Sequence, residues 1–152
     1  MDESDAIIVT FHQQWRAPLL AGEIDVVFRK LGPRDFVPRL LYAYVSAPIS
    51  AIIARAPIEA YHDLPLTEAL RLSDRGAIEK EELRQYAAGW LRLIVMELGQ
   101  ISVASTPLSC KSLSAKYNYW PSSTFIPLSR TGVQTLDQLG QFRLVQKKQR
   151  HA

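Results

Sequence analysis

The sequence predicts an α+β fold: a sheet curled toward a small β-barrel, with short helices inserted between its strands. Two observations lead there. Apolar runs of strand length, rich in β-branched and aromatic residues, recur along the chain, as in AIIVTF at 6–11 and LLYAYV at Leu40–Val45. Between them lie brief segments of helical spacing, each closed by glycine or proline, so no helix is long enough to form a layer alone.

Taken in order, residues 6–11 form the first strand. Residues 12–21 follow as a short helix with Trp15, Leu19 and Leu20 at helical spacing, because Pro18 is tolerated only in a first turn. Gly22 sits where a left-handed cap would end it. Val26, Val27 and Phe28 give a second strand, and a basic loop from Lys30 to Arg39 leads to the third, Leu40–Val45. Ser46, Ala47 and Pro48 make a turn. Residues 49–60 read as the fourth strand, with Pro57 placing its end at an edge or bulge. Residues 63–72 read as a helix with Asp63 as N-cap and Pro65 in the first turn. Residues 79–88 give the clearest helix, with acids in the first turn, Leu83, Tyr86 and Ala87 on one face, and Gly89 as the stop. Residues 91–101 form a fifth strand that bends at Gly99. Residues 106–115 read as a loop with a turn or two of helix, 117–123 as an irregular aromatic segment, 124–126 as a last strand, and 131–139 as a short helix or turn.

The chain of 152 residues reads as one domain, 1–142, followed by a basic tail, 143–152. Its 47% apolar and 22% charged residues are ordinary for a globular protein. The formal charge of +3 belongs largely to the tail. Arg143, Lys147, Lys148 and Arg150 are four of the 18 Lys and Arg residues, and without them 14 cations face 15 acids. The basic balance therefore does not by itself argue that the body binds nucleic acid. No apolar run approaches the roughly 20 residues that span a bilayer, and the acidic start MDESDAIIV does not read as a secretory signal, so the expected compartment is the cytoplasm and no membrane partner is expected. Cys110 is the single cysteine and the three histidines are never at ligand spacing, so neither a metal nor a cofactor is expected.

Several short motifs follow one another in a particular order: GEIDVVFR at 22–29, YVSAP at 44–48, the helix at 78–89, LRLIVMELG at 91–99, PLS at 107–109 and PSSTF at 121–125. In that order and spacing the chain resembles the ASCH domain, a branch of the PUA-like superfamily, from about Ile7 to about Leu139. GEIDVVFR stands where that family has GxKxxExR, and YVSAP matches its Y-x-S-x-P turn. The resemblance implies a cleft between barrel and helices suited to RNA or a nucleobase. Hydrolase members deacetylate a modified cytidine and give the motif lysine a catalytic role. Here Gly22 and Arg29 keep the motif's ends, Ile24 replaces the lysine and Val27 the glutamate. An isoleucine offers neither proton nor charge.

Arg29 is the leading site candidate, since a guanidinium can pair bidentately with phosphate or a base edge and stack on bases. Its structural reading is a salt bridge to Glu23, Asp25 or Asp35. The strand period puts Val27 and Arg29 on one face and Phe28 and Lys30 on the other. Lys30, Arg34 and Arg39 line the entrance or a solvated face. Trp15 and Trp90 read as core. Tyr117, Tyr119 and Trp120 read as a stacking platform or as core. The candidate ligand-binding residues are thus Gly22, Arg29, Lys30, Arg34, Ser46, Tyr119 and Ser123. Glu59, His62 and Asp63 form the one compact acid–histidine group. Glu59 and His62 would suit proton transfer if they faced the cleft, while the structural reading is a strand end, a turn and a cap. The function expected is binding of RNA or a nucleoside or nucleotide without catalysis. The alternatives are a divergent ribonuclease or modified-nucleoside hydrolase, and a protein-interaction module of the transcription-coactivator kind.

The loss of the motif lysine has a direct test. Release of cytidine from acetylated cytidine should be absent or very weak. Turnover equal to that of a lysine-containing relative would show that Ile24 does not matter.

Overall fold

A computed structural model describes residues 3–117 and 125–145. Its longest strand, β4 (Ala51–Pro65), belongs to two parts of the sheet. The first half of β4 lies between β3 (Leu40–Val45), from Ala51↔Val45 to Pro57↔Leu40, and β6 (Ser102–Ser109), from Ala51↔Ser109 to Arg55↔Ser102. Its second half pairs with β5 (Arg92–Leu98), from Ile58↔Leu98 to Pro65↔Arg92. The register shifts between Ile58 and Ala60, where the strand passes from one set of partners to the other. Gly99 packs against this point: its N–H donates to the Pro57 carbonyl at 2.8 Å, and a Cβ there would lie 2.7 Å from Pro57 Cγ. Glycine is required by that approach.

β1 (Glu3–Phe11) runs parallel to β3 and antiparallel to β7 (Phe125–Ser129). β2 (Val26–Arg29) runs antiparallel to β5. The order is β2-β5-β4-β3-β1-β7, with β6 branching from β4 and β8 (Phe142–Leu144) from β6. The sheet curls strongly without closing, so the barrel of the sequence reading is an open one. The helices are short: α1 (Arg16–Leu20), α2 (Leu66–Leu70), α3 (Lys80–Tyr86), α4 (Cys110–Tyr117) and α5 (Arg130–Gly140). Among the described residues none is long and apolar enough to cross a membrane.

Alternation along the strands builds three apolar clusters. Ile7, Val9 and Phe11 of β1, Leu41 and Val45 of β3, Val27 and Met96 fill the inside of the curl. Ile8, Tyr42, Tyr44 and Ile52 point the opposite way and pack with Leu136 of α5. Val26, Phe28, Leu93 and Val95 pack with Leu83 of α3. Because helices cover parts of both faces, the strands read as continuous apolar runs.

Four local readings of the sequence are corrected. Asp63 does not cap a helix. It lies within β4, where Arg92 Nε donates to its carboxylate at 2.9 Å, and the ladder to β5 continues to Pro65. Tertiary pairing thus shortens α2 to residues 66–70. The fifth strand ends at Leu98, and 102–109 form β6 where a loop was expected from 106. This strand has few apolar residues because Ser105, Thr106 and Pro107 are exposed. Trp90 is not core: it follows Gly89, whose φ is +85°, and is 40% exposed. Arg143 and Leu144, read as tail, pair with β6, and Val145 N–H donates to Ile101 at 2.9 Å.

One polar cluster adds to the ladder and the apolar packing that hold β8 and α5 to the sheet. Tyr42, with no exposed surface, donates its hydroxyl to Asp137 of α5 at 2.6 Å, and Arg55 reaches the same carboxylate oxygen at 2.7 Å. Phe142 packs edge-on against the Tyr42 ring and lies under the Arg55 guanidinium. Burial pushes the Tyr42 hydroxyl pKa well up, so the phenol stays a donor. Asp137→Ala should cost about 1–3 kcal/mol, because it leaves the buried hydroxyl without its acceptor. Asp137→Asn, which keeps an acceptor, should cost less. Chemical denaturation of the two variants checks this order.

Candidate nucleic-acid interface

A cleft of about 380 Å³ opens between β2, the end of β1 and α3. Thr10, Phe11 and His12 form one wall and β2 the other. Gln14 and Trp15 enter from the 3-10 turn Gln13–Trp15, and Glu82 and Tyr86 from α3. The Gln14 amide donates to Glu82 Oε2 at 2.9 Å, joining the turn to α3 at this cleft.

Arg29 lies in this cleft, and its position follows from the strand period. Val27 packs inside the curl with Phe11, whereas Phe28 packs outward with Leu83. Arg29 follows Val27 inward. Its Nη1 donates to the Phe28 carbonyl at 2.7 Å, its Nη2 to the Thr10 carbonyl at 2.9 Å, and its guanidinium carbon lies 4.6 Å from the Phe11 ring centre. No carboxylate among the described residues forms an ion pair with it, so the salt bridge to Glu23, Asp25 or Asp35 is not what holds it. Desolvation lowers its pKa from the ordinary arginine value, with Tyr86 acting the other way. An arginine remains a cation through such a shift. The site is therefore a half-buried positive charge held by neutral acceptors.

The other sequence candidates sit as follows. Lys30 turns outward: its backbone N–H donates to the Tyr86 hydroxyl at 3.2 Å, and its ammonium lies 4.8 Å from the Tyr86 ring centre. It therefore flanks the cleft through Tyr86 without lining it. Arg34 is exposed on the loop, which Tyr61 tethers through a 2.8 Å hydrogen bond to the Pro33 carbonyl. Gly22, at φ +68°, ends the α1 turn with its N–H on the Leu19 carbonyl at 3.1 Å. Ser46 ties its N–H to the Phe11 carbonyl at 2.9 Å. Neither Gly22 nor Ser46 lines the cleft. Tyr119, Trp120 and Ser123 lie outside the described residues, as does any statement about the Tyr117 side chain.

Trp15, read as core, is half-buried and lines the cleft. Ile24 and Val27, the motif substitutions, line it too. Gln14 and Glu82 were not singled out from sequence, and Tyr86 was read only as part of the apolar face of its helix. Their convergence depends on a contact between segments 68 residues apart, for which no local pattern exists.

Glu59 and His62 do not meet. Glu59 is exposed, and His62 Nε2 lies 2.8 Å from Glu97 Oε2, while Arg75 donates to Glu97 Oε1 at 2.8 Å. None of these residues lines the cleft. His62 and Arg75 hold the Glu97 carboxyl below the ordinary carboxylate range. A carboxylate with a depressed folded-state pKa contributes stability above its unfolded pKa, and that contribution is lost as pH falls through the folded value. The melting-temperature advantage of wild type over Glu97→Gln should therefore be present at pH 6 and shrink on acidification below the ordinary carboxylate pKa. Thermal melts across that window measure it.

No protein-family model and no curated protein matches the chain. Solved structures do. The ASCH protein of Zymomonas mobilis superposes with a TM-score of 0.80 at 17% identity, covering 95% of this chain and 99% of that one. A serine-to-alanine variant of the same protein gives 0.81 at 17% identity, covering 91% and 99%. The N-terminal domain of Staphylothermus marinus McrB gives 0.63 at 10% identity, covering 91% and 96%. The chain thus shares the fold of the Zymomonas mobilis ASCH protein over most of its length.

Proposed function

We propose that this chain binds single-stranded RNA or a nucleotide, with a nucleobase or phosphate held in the cleft at Arg29. The observation that carries the reading is the unneutralised guanidinium. Two of its hydrogens are spent on carbonyls. Its Nε and one hydrogen on each terminal nitrogen are left for acceptors on a ligand. Phe11, Trp15, Phe28 and Tyr86 line the same cleft, and the partly exposed rings of Trp15 and Tyr86 suit a flat base. A cavity of about 380 Å³ falls within the usual range for small-ligand sites. Ile24 and Val27 put hydrocarbon where the motif's lysine and glutamate would stand, which supports binding over deacetylation. The ASCH-like fold of the neighbours agrees with RNA as the ligand class.

Arg29→Ala should weaken RNA binding by about 1–3 kcal/mol, the range for a charge-assisted contact. It should also lower the melting temperature, because the Thr10 and Phe28 carbonyls each lose one hydrogen bond. Arg29→Lys should restore charge without the planar fork and recover affinity only in part. Arg34→Ala should have a smaller, more salt-sensitive effect, as befits an exposed loop cation. Affinity and melting are measured on the same preparations at two salt concentrations. Wild-type affinity in the folded fraction of Arg29→Ala would remove the reading.

A further inference from the structure

The cleft presents two opposite hydrogen-bonding characters. Arg29 offers donors alone. Glu82 offers acceptors as a carboxylate: Oε2 takes the Gln14 amide, and Oε1 has no hydrogen bond among the described residues. Both line the same cavity, together with the partly exposed Trp15 and Tyr86. A ligand that satisfies both must be flat, with adjacent acceptors on one edge and adjacent donors on another.

Of the four RNA bases, guanine has that pattern. Its O6 and N7 are neighbouring acceptors, and its N1–H and N2 amino group are neighbouring donors. Adenine and cytosine set a ring acceptor beside their amino group. Uracil sets one N–H between two carbonyls. A carboxylate meets two aligned donors in guanine alone.

We propose that the cleft selects guanine, with Arg29 on its O6/N7 edge and Glu82 on its N1/N2 edge. The inference rests on the cleft being a nucleobase site and adds to that reading which base it takes. It also gives the Gln14–Glu82 hydrogen bond a role. The Gln14 amide takes one lone pair of Oε2, which sets the orientation of the group, and Oε1 with the second lone pair of Oε2 is left for two aligned donors on a ligand.

The test is calorimetric titration of the intact protein with nucleosides and short RNAs. Guanosine should bind at least about ten-fold tighter than adenosine, cytidine or uridine. Inosine lacks the N2 amino group and 7-deazaguanosine lacks the N7 acceptor, so each should bind more weakly than guanosine. Glu82 is exposed and helical, so Glu82→Ala should fold normally. In that variant guanosine and inosine should bind alike, while the penalty for 7-deazaguanosine persists. A single-stranded tetranucleotide with one guanosine identifies the source: tighter binding than guanosine points to RNA, and equal binding to a free nucleotide, guanine being the recognised base in either case. Equal affinity for all four bases would overturn guanine selection and leave the RNA-binding reading standing. A guanosine–inosine difference unchanged in Glu82→Ala would overturn the assignment to Glu82. Absence of binding to every nucleoside and RNA would overturn both readings together.

Discussion

One guanidinium spans the seam at which the curled sheet fails to close. β2 has four residues and pairs with β5 on one side. β1 pairs with β7 up to Val9↔Phe125 and no further among the described residues. Near that end of β1 the Thr10 carbonyl accepts from the side chain of Arg29 on β2. A side chain thus does at the seam what a backbone ladder does elsewhere, and space remains on either side of it. A closed ladder would have filled the cleft. A seam with no bridge would leave β2 attached through its ladder to β5 and through apolar packing, with no polar tie to β1. The cleft and the stability of β2 therefore have a common origin.

β4 sets where that seam falls. Its two halves face different partners, and the shift at Ile58–Ala60, packed against Gly99, turns the β5–β2 pair away from β3 and β1. The polar cluster of Tyr42, Arg55 and Asp137 lies on the opposite face of β3 and β4 from the interior of the curl, where it anchors α5 and Phe142. It leaves the seam untouched. One polar device secures the C-terminal elements and another spans the opening, with the apolar interior of the curl between them.

Much of the fold was legible because its signals are local. Leu40–Val45 matches the structure at both ends, since an apolar run bounded by a loop and a proline turn leaves little choice. α3 and the left-handed Gly22 and Gly89 were readable for the same reason: their causes lie within a few residues. The failures have non-local causes. Asp63 has the composition of a cap, but Arg92 across the ladder holds it in a strand. β6, poor in apolar residues, and the three-residue β8 at its outer side owe their pairing to each other and to β4. In the site, the strand period put Arg29 on the face of Val27, without saying which face was inside. It could not supply Thr10, Gln14 or Glu82, which reach the cleft from other elements, nor show that Trp15, which packs against the inner core as read, also forms part of the cleft wall.

The electrostatics around Arg29 differ from those of other arginines in the fold. Arg55, Arg75, Arg84 and Arg92 each face a carboxylate among the described residues, and each of those side chains is at least a third exposed. Such pairs add little to stability, because solvent already screens both charges. Arg29 has the reverse arrangement. It is more desolvated, so its charge costs more to hold, and its partners are carbonyl dipoles that compensate it only in part. A carboxylate in their place would neutralise the cation and would compete with any ligand acceptor. Carbonyls fix the orientation of the fork and leave its charge unspent. That is the condition under which a binding group is ordered before its ligand arrives and loses little freedom on meeting it.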